Sequence, residues 1–179
     1  MSQLPGVDAK VLYLLRHAKS SWDDAGLADR DRPLAPRGRK AARRIAEHLG
    51  GVAVPPALVL CSSAVRTRQT LDAILPALEG EPEVVVEDGL YGALADSLLT
   101  RLRAVPADVP SVLLIGHNPG IGDLAFALAG RGDGDALQRL REGYPTGALA
   151  TLTIAEGGWA ELADGGAELT DYVVPRELG

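Results

Sequence analysis

Val11-Leu12-Tyr13-Leu14-Leu15-Arg16-His17 is the stretch on which the reading of this chain turns. Its apolar residues follow one another without alternation. That marks a strand covered on both faces, as in a parallel sheet, because a half-exposed strand alternates. The run ends abruptly at an arginine and a histidine. Open α/β sheets hold their ligands at the carboxyl ends of their strands, so Arg16 and His17 stand where a site is expected. A cation beside a histidine suits an anion held against a nucleophile.

The same arrangement recurs further on. Val112-Leu113-Leu114-Ile115 is as apolar as the first run and ends in Gly116-His117, while Ala57-Leu58-Val59-Leu60 leads into Cys61-Ser62-Ser63. Between the first two strands, Pro36-Arg37-Gly38 opens a helix. Its apolar residues Ala41, Ile45 and Leu49 recur every four positions, and Gly50-Gly51 stops it. Ser62 or Ser63 is a suitable N-cap for a second helix carrying Val65, Arg66, Thr70, Ile74 and Leu78, which Pro76 bends or ends.

Glu83 to Val86 reads as a short strand and Leu90 to Arg103 as containing a helix. Asn118 and Pro119 supply an N-cap and a first helical residue for a helix running through Leu124 and Leu128 to Gly130. Residues 131–136 read as a Gly/Asp loop, Ala148 to Ile154 as a weakly alternating strand, Glu156-Gly157-Gly158 as a turn, and Trp159 to Leu162 as a returning strand. The last ten residues read as extended or irregular, and residues 1–9 as a loose start. Residues 18 to about 35 lack periodicity, and a loop of that length inside a compact domain is usually functional. Alternating strands and helices predict a three-layer α/β/α sandwich with a mostly parallel central sheet. One domain over residues 1–179 is expected, with no repeat and no linker.

Bulk properties narrow the function. The composition, 46% hydrophobic and 23% charged, is that of a globular chain with a sizeable core. No apolar run reaches the length of a membrane span, and the first residues lack the basic and apolar regions of a secretory signal. The expected location is cytoplasmic. The formal charge of −6, from 18 basic and 24 acidic residues, argues against general nucleic-acid binding. Against that background the basic cluster Arg30, Arg32, Arg37, Arg39, Lys40, Arg43 and Arg44 stands out, either as a solvated helix face or as a dock for an acidic partner. Cys61 is the single cysteine, which excludes an internal disulfide or a Cys-based metal cluster; it reads as a small buried hydrophobe. His48, beside Glu47 in the first helix, reads as a surface residue.

Both strand-end histidines, His17 and His117, fall in one crevice if their strands are neighbours. Arg66 falls in the first turn of its helix, where free N–H groups and the dipole already favour anions, and its planar fork matches phosphate oxygens. Arg16-His17, the stretch Ser62-Ser63-Ala64-Val65-Arg66-Thr67-Arg68-Gln69-Thr70, and Gly116-His117-Asn118, in this order, resemble the histidine phosphatase superfamily, also called phosphoglycerate mutase-like. The short length, the lack of an inserted cap and the stretch Asp31-Arg32-Pro33-Leu34 ahead of Arg37-Gly38 resemble its SixA-type branch of phosphohistidine phosphatases. The resemblance runs from about residue 11 to 130.

This resemblance implies a phosphoglycerate mutase-like fold and a phosphatase in which His17 accepts the phosphoryl group. Arg16, Arg66 and His117 would surround that group, and Arg32 would also line the phosphate pocket. No cofactor and no metal are implied, because arginines supply the positive charge. The glycine usual after Arg-His is Ala18 here. The proton donor is left open among Glu87, Asp88 and Asp31, which qualify by position only. A readily displaced leaving group such as imidazole lessens the need for a strong acid. The favoured substrate is therefore phosphohistidine on a protein. A phosphorylated small metabolite is the alternative, a mutase fits less well, and a non-catalytic phosphate-binding module is the rival from another class. Lys19, Ser20 and Trp22 follow the nucleophile and either line the pocket mouth or, for Trp22, anchor the loop. The oligomeric state is left open.

Overall fold

The computed structural model describes residues 8–178. Most of the stretch expected to form a loose start therefore lies outside the described residues. The strands are β1 (Lys10–Arg16), β2 (Leu58–Ser62), β3 (Glu83–Glu87), β4 (Ser111–Gly116), β5 (Ala129–Gly132), β6 (Leu149–Ile154) and β7 (Ala167–Val173). The α-helices are α1 (Pro36–Gly50), α2 (Val65–Ile74), α3 (Ala95–Arg103), α4 (Gly120–Leu128) and α5 (Gly134–Glu142).

The strands form one seven-stranded sheet of order β3-β2-β4-β1-β6-β7-β5. β3, β2, β4 and β1 run parallel; β6 pairs antiparallel with both β1 and β7; and β5 runs parallel to β7. The sheet is thus mixed, with β6 alone reversed. The unbroken apolar runs are its centre. β4 is buried along its whole length, and β1 is buried from Val11 to Leu15. Successive β1 side chains enter opposite cores. Leu12 and Leu14 pack with residues of α3, α4 and α5, while Val11, Tyr13 and Leu15 pack with residues of α1 and α2. This is the three-layer α/β/α arrangement, and each buried leucine removes enough apolar surface from water to contribute about 2 kcal/mol.

Three expectations are corrected. Trp159 to Leu162 is a turn whose end residues Trp159 and Leu162 are buried, with the indole Nε1 donating to the Val109 carbonyl at 2.8 Å; the returning strand is β7, further on. Residues 131–136 are no simple loop, because β5 ends at Gly132 and α5 begins at Gly134, with Asp133 Oδ1 accepting from the backbone of Asp135 and Ala136. α4 begins at Gly120, after Asn118-Pro119, although Asn118 Oδ1 still accepts from Gly122 N at 3.1 Å.

The long connection between β1 and α1 folds back on itself. Ala35 N donates to the Lys19 carbonyl at 2.9 Å, and Ser21 N to that of Pro33 at 2.8 Å. Gly38 presses its backbone against Lys19 so closely that a Cβ would collide with the Lys19 carbonyl. That contact sets the first turn of α1 against the loop leaving His17. Among the described residues no helix is long and apolar enough to cross a membrane.

Candidate active site

Three neighbouring strands deliver the polar groups to one edge of the sheet. Arg16 ends β1 and His17 follows it, Ser62 ends β2, and Gly116 ends β4 with His117 after it. β4 lies between β1 and β2, and the parallel register brings these ends level. The main chain is pinned there. His17 N donates to the Gly116 carbonyl at 3.1 Å, and Gly147 N donates to the carbonyls of Arg16 at 3.1 Å and His17 at 3.0 Å. Gly147 holds φ +76°, which glycine adopts without strain.

His17 is buried, and its Nδ1 lies 2.7 Å from the Ala18 carbonyl. A carbonyl only accepts, so Nδ1 carries the proton and Nε2 keeps its lone pair. That Nε2 accepts from Arg66 Nε at 3.4 Å. Burial lowers the imidazole pKa from 6.5 to about 4; the Ala18 bond opposes this, and the cations of Arg66 and Arg16 reinforce it. Ala18 is fully buried against Leu34 and Ala42, and its N–H donates to Thr70 Oγ1 at 3.1 Å. Glu81 is the only non-glycine residue with positive φ among those described, so alanine stands at position 18 in an ordinary backbone region.

Arg66 is likewise buried, in the first turn of α2. The N-cap position of α2 falls to Ala64 rather than to Ser62 or Ser63. Ser62 Oγ instead lies 2.7 Å from His117 Nε2. Arg66 Nη2 donates to His117 Nδ1 at 3.4 Å, which leaves the neutral ring's proton on Nε2, facing Ser62. Burial pushes His117 down to about 3, with His17 and Arg66 adding to the shift. The two imidazole centroids are 5.3 Å apart.

Arg66 also donates from Nη1 to the Asp29 carbonyl at 2.7 Å and from Nη2 to Asp29 Oδ2 at 3.0 Å. Tyr91 Oη donates to the same carboxylate oxygen at 2.6 Å, and its ring meets that of His117 edge-on. The Tyr91 hydroxyl holds the Asp29 carboxyl below its usual range; burial opposes this, and the Arg66 guanidinium adds to the lowering; the same Tyr91 bond raises Tyr91. Asp29 therefore stays ionised and Tyr91 protonated at neutral pH.

Arg16 Nη1 donates to the Tyr144 carbonyl at 2.9 Å, but its Nε is buried with no partner. Arg32 is buried beneath the exposed Trp22 ring, and its Nε too has no partner. Buried donors almost always find an acceptor, so two unpaired arginine nitrogens mark places that favour an anion.

The structure brings Arg16, His17, Arg66 and His117 together, and it puts none of Glu87, Asp88 or Asp31 in hydrogen-bond contact with them. Glu87 accepts from Arg101 Nε through both oxygens, at 2.9 and 3.0 Å, Asp88 pairs with Arg30, and Asp31 is exposed. The carboxylate that does reach the cluster is Asp29, with Tyr91 beside it. Sequence reasoning passes over both, since nothing in a loop without periodicity separates Asp29 from Asp23, Asp24 or Asp31. His48 is half-buried rather than a free surface group, with Nε2 3.0 Å from Asp171 Oδ2. Cys61 is buried, and burial pushes its thiol up to about 12. Among the described residues no group of three or more His, Cys, Asp or Glu is arranged to hold a metal ion.

An uncharged imidazole with a directed lone pair, faced by guanidinium groups and a second imidazole, suits attack on phosphorus and neutralisation of its oxygens. The fold and this cluster define an α/β protein with a cationic, histidine-bearing anion site. Comparisons with known proteins agree. The pattern of the Histidine phosphatase superfamily (branch 1) matches residues 12–92. Phosphohistidine phosphatase SixA of Escherichia coli is 30% identical over 155 residues, covering 82% of this chain and 87% of that protein. An uncharacterised protein of Mycobacterium tuberculosis is 39% identical over 169 residues, 90% of this chain and 100% of its own. A solved structure from Nakamurella multipartitia, assigned provisionally as phosphohistidine phosphatase SixA, is 36% identical with a TM-score of 0.81, covering 93% of this chain and 96% of that one. The chain belongs to the histidine phosphatase superfamily, in its SixA-type branch, and is a phosphatase.

Proposed function

We propose that this phosphatase hydrolyses phosphohistidine carried on a protein, without a metal, through a phosphoryl group held on Nε2 of His17. The observation that carries this reading is the 2.7 Å bond from His17 Nδ1 to the Ala18 carbonyl, which fixes the tautomer and aims the Nε2 lone pair at Arg66. In the first step Nε2 forms a bond to phosphorus as the P–N bond of the donor breaks; the donor ring enters protonated on its other nitrogen, so the electron pair released to the leaving nitrogen gives neutral imidazole. Arg16, Arg32 and Arg66 bind the phosphoryl oxygens, and His117, its Nε2 proton facing Ser62, holds Arg66 beside them through Nδ1. In the second step water attacks phosphorus, inorganic phosphate departs and His17 recovers its lone pair.

The state of Asp29 supports a nitrogen leaving group. A carboxylate kept ionised by Tyr91 and Arg66 is a poor proton donor to an alkoxide. Imidazole leaves as a stable neutral molecule and needs no strong acid. Glu87 and Asp88 are each held by an arginine, which leaves neither poised to serve as that acid.

The test is hydrolysis of a phosphohistidine protein by wild type and His17→Ala, with and without a chelator. A loss on the order of 1,000-fold or more in the variant is expected, with no effect of the chelator. Retained activity in the variant contradicts the role of His17, and loss on chelation contradicts metal independence.

A further inference from the structure

A cavity opens beside Arg16. It is a cleft of about 500 Å³ lined by Arg16, Asn118, Arg139, Tyr144, Tyr172 and Arg176, among others. α5 and the Gly143-Tyr144-Pro145 segment form one side. The end of β7 and the 3-10 turn Pro175–Glu177 form the other. Its volume lies in the range of ligand pockets, and its location ties it to the chemistry. Arg16 is shared between this cleft and the His17 cluster, and the Tyr144 carbonyl accepts from both Arg16 and Asn118.

Arginines outnumber glutamates in the cleft on a protein that is acidic as a whole. Glu142 and Glu177 also line it, but Glu177 is taken by Arg139, which in turn lies over the Tyr172 ring. Arg176 is exposed and forms no ion pair among the described residues. Arg44 extends the same charge, since its Nη1 reaches the Pro175 carbonyl at 3.5 Å and so joins the basic face of α1 to the cleft's rim. Arginines therefore recur from α1 past Arg176 to Arg16, where they meet the nucleophile, with Glu142 the one lining carboxylate among the described residues that no arginine takes.

We infer that the cleft seats an acidic stretch of the polypeptide that presents the phosphohistidine, with Arg176 pairing a carboxylate next to the phosphorylated residue. This rests on the proposed function, because it assigns the substrate segment adjoining the phosphoryl group. Arg176 is here a specificity residue and takes no part in the chemistry.

Two phosphohistidine peptides of one length, with either glutamates or glutamines flanking the phosphohistidine, provide the test. With wild type the acidic peptide has the lower KM, and added salt removes the difference. In Arg176→Glu the KM for the acidic peptide rises about fivefold with kcat unchanged, while the glutamine peptide is unaffected. Replacing the flanking glutamates by lysines restores binding to the variant, which a merely structural defect would not allow. Equal KM values for the two peptides, or equal effects of Arg176→Glu on both, overturn the proposal while leaving the proposed function intact. Equal peptides together with a loss on a small bisphosphorylated ester assign the cleft to a metabolite's second anion and also overturn it. Failure of wild type to hydrolyse either peptide overturns the substrate reading and the cleft proposal with it.

Discussion

A histidine that attacks phosphorus needs a free lone pair at the pH where it works. Position 17 secures one twice over. Its Nδ1 proton is committed to the Ala18 carbonyl, and burial with two neighbouring cations keeps a second proton off Nε2 down to about pH 4. This has a kinetic signature, because kcat/KM reports the ionisations of the free enzyme. Measured with a substrate that does not titrate in that range, the acid limb of kcat/KM falls near 4, well below the 6.5 of an ordinary imidazole. A limb at 6.5 contradicts the buried, cation-flanked environment. His117, lowered still further, adds no limb above it.

Position 18 shows where residue-level reading of the family pattern stops. The alanine has no need of glycine's freedom, and its methyl group fills a buried niche with Leu34 and Ala42. Asp29 and Tyr91 show the opposite limit. They join the cluster only through the fold of a long loop, and no local spacing marks them.

Among the elements, the strands that carry the site were the most legible. β1 and β4 are apolar throughout because helices cover both faces, so their runs and their polar ends stand out in the chain. α5 and β7 were not. Only Leu140 of α5 is buried, which leaves too short an apolar stripe to show the helical period. β7 pairs with β6 through a register shift between Thr151 and Leu152, and its own alternation is blurred to match. Trp159 misled in a different way, because a large apolar residue beside a turn looks like the start of a strand. Its ring instead closes the core from within the turn.

The junction of α1 with the loop after His17 is open to a direct test. Gly38→Ala places a methyl group against the Lys19 carbonyl, so backbone must shift on one side. The expected outcome is destabilisation of about 1–3 kcal/mol in urea unfolding, with a fall in kcat as the loop moves off the site. Unchanged stability and activity would show that this close approach does not position the loop.

For the whole molecule, one sheet edge serves two purposes that oppose each other in acid. Burying His17 neutral suits the proposed attack on phosphorus but disfavours the folded state wherever the unfolded chain takes up a proton that the folded chain refuses. The folded pKa lies below the unfolded value, so this stability is fully present above 6.5 and is lost as pH falls from 6.5 towards about 4, below which the penalty is constant. The difference in unfolding free energy between wild type and His17→Asn should change across that window and be flat above it. A difference independent of pH contradicts the buried neutral histidine. The three-layer sandwich was legible at this scale, since strand and helix signals alternate along most of the chain. The single reversed strand was not, because β6 carries no local mark of its direction.

The central claim is that His17 carries the phosphoryl group, and the most direct measurement is to trap it. Wild-type protein mixed with a labelled phosphohistidine donor and quenched rapidly in alkali should yield a phosphoenzyme that is stable in base and lost in acid. Peptide mapping should locate the phosphate on His17, with no label retained by His17→Ala. Turnover without any such species, or phosphate located on another residue, would contradict the account.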